Sequence, residues 1–122
     1  MERTLLVVED EPEVRALVEL TLRGLGRIVS VGDGPSGLVA AAQHRPDLIL
    51  IDVNLPGMSG LELCERLRAD PATRHATIAF LTAGGTAEDR QRGMAAGADA
   101  YFVKPFSPAA LRAFVAERLG AP

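Results

Sequence analysis

A chain of 122 residues, 48% hydrophobic with 12 glycines and 8 prolines, has the size and composition of one folded domain rather than a disordered tail. Its net charge of -3 argues against a general affinity for nucleic-acid phosphate or anionic lipid. No apolar run approaches the roughly 20 residues of a membrane span and no signal-peptide pattern opens the chain, so a cytoplasmic location is expected, with no direct nucleic-acid binding and no membrane partner.

The first apolar run, "LLVV" at 5–8, belongs to a strand expected near 4–8, and it runs directly into Glu9, Asp10, Glu11 and Glu13, four carboxylates in five residues. A helix starts at Pro12, with Val14, Leu17, Val18, Thr21 and Leu25 on one stripe; Glu11 and Glu13 read as charges favouring its positive end. The second strand, near 27–31, carries Arg27 and Ser30, which suits a sheet edge. The third, near 47–52, holds the wholly apolar "LILI" and ends in Asp52. Ser59 and Glu62 then have the spacing of a helix-capping box, and the single cysteine, Cys64, sits in "LELCERL" as a small hydrophobe that cannot form an internal disulfide.

The fourth strand, near 77–82, ends in Thr82. Thr86 and Asp89 start a helix, "TAEDRQRGMAA", that offers only Met94 as a large apolar anchor and contains Gly93, so its attachment to the sheet should be weak. The fifth strand, near 99–104, ends at Lys104, and Ser107 before Pro108 opens a last helix that stops near Leu119. Five βα units imply an α/β fold: a doubly wound five-stranded parallel sheet covered on both faces. Placing the least apolar strands, two and five, at the edges gives the order 2-1-3-4-5, flavodoxin-like. One domain over 1–122 is expected.

In such sheets ligands sit beyond the carboxyl ends of the strands, where the order reverses. Glu9 and Asp10, Asp52, Thr82 and Lys104 all stand at strand ends and should converge there. Each alone has an ordinary structural explanation, but four strand ends presenting polar groups to one crevice is a functional pattern. Three carboxylates held a few ångströms apart repel one another and call for a hard divalent cation; all-oxygen ligation with few protein ligands suits Mg²⁺. His44 and His75 fall outside the crevice, and no His or Cys cluster suggests zinc. A carboxylate beside Mg²⁺ is a competent nucleophile toward phosphorus. Lys104 is the only lysine among thirteen basic residues, and a compact ammonium reaches into a crowded anionic site as a planar guanidinium cannot. Lys104 and the Thr82 hydroxyl would face the added phosphoryl oxygens.

The segments "LLVVEDE", "DLILIDVNLPGMSGLEL", "IAFLTA" and "GADAYFVKPFSP", in that order and spacing, resemble the receiver domain of bacterial two-component response regulators over nearly the whole chain. The resemblance implies that Asp52 is the phospho-acceptor, that Asp10 binds Mg²⁺ directly, that Glu9 does so through water, and that Asn54 contributes its backbone carbonyl. It implies a cis peptide bond before Pro105. Thr82 and Tyr101 correspond to a switch pair that alters the surface of the fourth helix, fifth strand and fifth helix. The phosphoryl donor would be a sensor histidine kinase or a histidine phosphotransfer protein, and the downstream partner an output protein or domain that the sequence does not identify, whether the chain acts alone or as a piece of a larger regulator.

Two features depart from relatives: Glu9 stands where many have aspartate, and Ala100, Ala109, Ala110 and Phe114 replace residues that form charged dimer contacts in one DNA-binding branch, so a monomer or weak dimer is expected. Three other functions are weighed against this one. A small aspartyl-phosphate phosphatase would need a substrate pocket and a second aspartate where Asn54 stands. A flavin module would need Gly, Ser and Thr, not carboxylates, after the first strand. A phosphorylation-independent interaction module of the same fold is the remaining alternative, and the expected role is regulatory rather than enzymatic.

Overall fold

Strand and helix alternate throughout residues 2–120, the part of the chain that the computed structural model describes. The order is β1 (Thr4–Val8), α1 (Pro12–Leu22), β2 (Arg27–Val31), α2 (Gly34–His44), β3 (Leu48–Asp52), α3 (Gly60–Ala69), β4 (Thr77–Thr82), α4 (Ala87–Ala95), β5 (Ala100–Val103) and α5 (Pro108–Arg118). The strands pair in parallel as β2-β1-β3-β4-β5. This is the order expected from the apolar runs, with β2 and β5 at the edges.

Successive strand residues point to opposite faces, and because helices cover both faces the central runs are apolar at every position rather than at alternate ones. Leu6, Val8, Ile49, Ile51, Ile78 and Phe80 meet α2 and α3 on one side, through Ala40, Ala41, Leu63, Cys64 and Leu67. Leu5, Val7, Leu48, Leu50 and Leu81 meet Val18 and Leu22 of α1 and Leu111 and Val115 of α5 on the other. Burial pushes the Cys64 thiol up to about 11. No helix among the described residues is long and apolar enough to cross a membrane.

Helix starts follow local chemistry. The side chains of Asp33, Ser59, Thr86 and Ser107 accept the backbone N–H of the residue three positions on, satisfying donors that the first turn leaves unpaired. The α1 stripe differs from expectation: Leu22 is buried, Leu17 is 44% exposed, and Leu25 lies beyond the helix end. In α4 Met94 is likewise 44% exposed and Gly93 is the buried residue, so the anchor expected from hydrophobicity is not the one used. β3 starts at Leu48 and β5 spans only Ala100–Val103, yet ladder-like bonds from Asp47 N–H to the Thr4 carbonyl, Asp99 N–H to Ile78 and Lys104 N–H to Thr82 extend past both strands.

Arg68, at the end of α3, ties three connections together. Its guanidinium donates to the carbonyls of Gly97 (2.8 Å), Arg74 (2.7 Å) and Ala76 (2.6 Å) and pairs with Asp99 at 2.8 Å. Asp99 in turn accepts the N–H of Ile78. A planar fork with five donors can serve such a set; a point charge cannot. Arg68→Ala is expected to lower the free energy of urea unfolding by about 2 kcal/mol, whereas Arg66→Ala, which breaks the exposed pair with Glu62, should change it by less than about 0.5 kcal/mol.

Candidate functional site

The site forms where β1, β3 and β5 end. Glu9 continues β1 by one residue through a bond from its N–H to the Val31 carbonyl (3.0 Å), and its carbonyl accepts from Arg15 (2.9 Å). These bonds carry the Glu9 side chain inward, where it is 1% exposed. Asp52, the last residue of β3, is 3% exposed. Its Oδ1 accepts the Asn54 N–H at 3.0 Å. The tight return from β3 into α3 depends on Gly60: a Cβ there would lie 2.3 Å from the Asp52 carbonyl oxygen and 2.8 Å from Val53 Cα, so only glycine lets the helix start against the strand end.

Lys104 arrives from the far edge of the sheet. Its N–H donates to the Thr82 carbonyl (2.7 Å) and the following bond, to Pro105, is cis. Its ammonium lies 2.8 Å from Glu9 Oε1, 3.2 Å from Asp52 Oδ2 and 3.4 Å from Glu11 Oε1. Burial pushes the Glu9 carboxyl up from 4.5 to about 7, reinforced by Asp52 and opposed by Lys104. Burial alone would lower the ammonium, but Glu9 and Asp52 outweigh it and hold Lys104 at about 12. One ammonium is thus shared among several carboxylates that it cannot fully neutralise.

Glu9, Asp10, Glu11 and Asp52 each offer a carboxylate oxygen within 4.8 Å of the others. Glu9 Oε1, although close to Lys104, has no aligned hydrogen-bond partner. A buried, unpartnered carboxylate oxygen in an all-oxygen cluster fits a hard divalent cation such as Mg²⁺. Glu11 is the member that sequence reasoning missed. Read as a helix-end charge, it occupies the N-cap position of α1 but makes no side-chain cap bond; its N–H donates to Glu9 Oε2 (3.2 Å) and its carboxylate turns toward Lys104. Its place two residues after Glu9 was the available signal.

Thr82 and Tyr101 form a second group beside the first. Thr82, 1% exposed, accepts the Gly84 N–H on Oγ1 at 3.1 Å, and the Tyr101 hydroxyl donates to the Gly84 carbonyl. Tyr101 is 9% exposed, its ring meeting Phe80 edge to face at 6.3 Å. A cleft of about 370 Å³ between these residues and the Asn54 turn is lined by Thr82, Gly84, Tyr101 and the Asp89–Arg92 pair. His44, in the last turn of α2, and His75, before β4, lie outside both groups.

Residues 5–116 match the response regulator receiver domain family. The chain is 42% identical over 120 residues to the DNA-binding response regulator MtrA of Mycolicibacterium smegmatis, covering 98% of this chain and 51% of the relative; it spans about half the length of the curated relatives it matches. Among solved structures it resembles a proposed response regulator from Chloroflexus aurantiacus (TM-score 0.91, 37% identity, 98% of this chain and 99% of the other). It also resembles the receiver domain of the Pseudomonas aeruginosa sensor histidine kinase PA1611 (TM-score 0.88, 34% identity, 99% and 100% covered), whose active-site cleft coordinates a magnesium ion.

Glu9 generates a pH prediction for the metal-free protein. Its folded value near 7 exceeds the ordinary 4.5, so the folded state holds a proton that the unfolded chain releases, and this contribution, complete below pH 4.5, is lost as pH rises through 7. Glu9→Gln removes the loss. In EDTA the variant should be more stable than the parent by on the order of 2 kcal/mol at pH 8 and no more stable at pH 4.5, as read by urea unfolding at both values.

Proposed function

The chain belongs to the response regulator receiver domain family of two-component signalling, a family of regulatory phospho-acceptor modules, and on that basis we propose that Asp52 takes a phosphoryl group from a phosphohistidine donor. The observation that carries the reading is Asp52 itself: a buried carboxylate at the end of the central strand, with Asn54 N–H on one oxygen and the Lys104 ammonium on the other, beside Glu9 and Asp10.

An Asp52 oxygen attacks phosphorus, the phosphorus–nitrogen bond of the donor breaks, and its electron pair returns to the imidazole. The product is an acyl phosphate, and the attacking carboxylate needs no base because it carries no proton. Mg²⁺, held by Asp10 and Asp52, by the Asn54 backbone carbonyl and by Glu9 through water, would neutralise charge and accept phosphoryl oxygens. Lys104, already on Asp52, exchanges carboxylate for phosphoryl oxygen. Thr82 donates its hydroxyl to the same group, and Tyr101, already inward and joined to Thr82 through Gly84, is fixed there with it, so that the surface of α4, β5 and α5 is altered together. The donor is a sensor histidine kinase or histidine phosphotransfer protein, and the reader of the altered surface is an output protein or domain. Ala100 and the half-buried Phe114 offer no charge on that surface, which supports a monomer or weak dimer. One folded unit over 1–122 is part of the same reading.

Incubation with acetyl phosphate and Mg²⁺ should add one phosphoryl group, detected by intact mass. Asp52→Asn and excess EDTA should both abolish the addition, and normal labelling of the Asn variant would remove Asp52 as acceptor. Lys104→Arg keeps the charge but brings a bulky fork to a crowded site. It should reduce several-fold the change in tyrosine fluorescence that beryllofluoride, a phosphoryl mimic, produces with Mg²⁺ in the parent.

A further inference from the structure

α4 carries a buried glycine in its last turns and an arginine one turn earlier, and both meet Tyr101. Glycine is the poorest helix former after proline, and α4 has few apolar contacts to compensate, so Gly93 asks for a reason. A Cβ at Gly93 would lie 3.0 Å and 3.1 Å from Cδ1 and Cε1 of Tyr101 and 3.1 Å from Cδ2 of Phe80. Phe80 is wholly buried on a central strand and cannot give way. Tyr101, on edge strand β5 and at the rim of the core, can. An alanine methyl would press on the inward ring, which would have to move by a few tenths of an ångström to admit it.

Arg90 closes the ring from the outside. It stands three residues before Gly93, on the same side of the helix, with its guanidinium 5.4 Å from the Tyr101 ring centre. Its neighbour Arg92 pairs with Asp89 instead. The ring therefore has Phe80 at its edge, Gly93 beneath, Arg90 over its outer face and the Gly84 carbonyl on its hydroxyl. Gly84 spends its other backbone group, the N–H, on Thr82 Oγ1.

We propose that Gly93 and Arg90 are positioning residues: the absent side chain and the stacked guanidinium together hold Tyr101 inward before any phosphoryl group is present, and through Gly84 they keep the Thr82 hydroxyl in place at the cleft beside the Asn54 turn. This rests on the reading of Asp52 as acceptor. It goes further in making α4, the most weakly attached helix, the element that decides how nearly the site is arranged for phosphorylation. One added methyl at Gly93 should crowd the ring outward, loosening its bond to Gly84 and with it the contact that fixes Thr82.

Tyr101 is the only tyrosine and the chain has no tryptophan, so intrinsic fluorescence reports this ring alone. In the metal-free parent, acrylamide should quench it weakly. Gly93→Ala should raise the quenching constant and slow labelling by acetyl phosphate, each by about twofold, with the circular dichroism of the fold retained. Arg90→Ala should raise quenching at least about twofold, and Arg90→Lys should recover most of the protection. Quenching in Gly93→Ala equal to the parent overturns the proposal; so does exposure of the ring with no effect on labelling, since that severs the ring from Thr82. Should Gly93→Ala fail to fold, the surface variant Arg90→Ala decides by the same quenching measurement. Failure of the acceptor reading is a separate result, seen as unchanged labelling of Asp52→Asn, and leaves the quenching comparison intact.

Discussion

The arrangement of this molecule turns on one ammonium shared among carboxylates. Lys104 reaches from edge strand β5 across the mouth of the sheet to Glu9 and Asp52, and no other cation among the described residues pairs with that buried group. Bringing these acids together costs free energy: burial and mutual repulsion drive Glu9 toward its neutral form, and a single positive charge cannot offset it. The site is therefore under electrostatic tension that a second cation, or a group bringing its own charge and oxygens, would relieve. A surrounding core that buries nearly every residue of the central strands β1, β3 and β4 holds these charges in place despite the repulsion.

Parallel topology explains why the charges meet at all. Every strand runs the same way, so every carboxyl end opens on one rim, and the reversal of order between β1 and β3 leaves a gap there. Glu9, Asp52 and Lys104 come from positions 43 and 52 residues apart along the chain, yet each needs only to end its strand to reach the same crevice. Gly60 sets how closely the following helix returns, and so how much of Asp52 stays covered.

The rim is not uniform in stiffness. α3 is fixed to the sheet by Leu63, Cys64 and Leu67 and to the lower connections by Arg68. α4 buries only Gly93 among its own residues and leans on a ring rather than on a hydrophobic stripe. A rigid carboxylate corner next to a loosely held helix is a mechanical contrast of the kind that passes a local change of charge to a distant surface.

Sequence alone carried the alternation of elements, the sheet order and the converging strand ends, because hydrophobic runs and helix-start residues act locally and parallel topology then leaves few alternatives. It carried the identity of the charged residues for the same reason: a residue that ends a strand is legible as such. It did not show the contact of Glu11 with Lys104, since whether a carboxylate at a helix start also reaches a lysine 93 residues away is settled by what stands opposite. It misjudged Met94 and Gly93. Hydrophobicity assigns the anchor to the larger side chain, whereas packing assigned it to the one position where a missing Cβ leaves room for an aromatic ring. Which residues lie near one another across the fold, and how much space remains between them, are properties of the packed chain, and only the tertiary structure decided them.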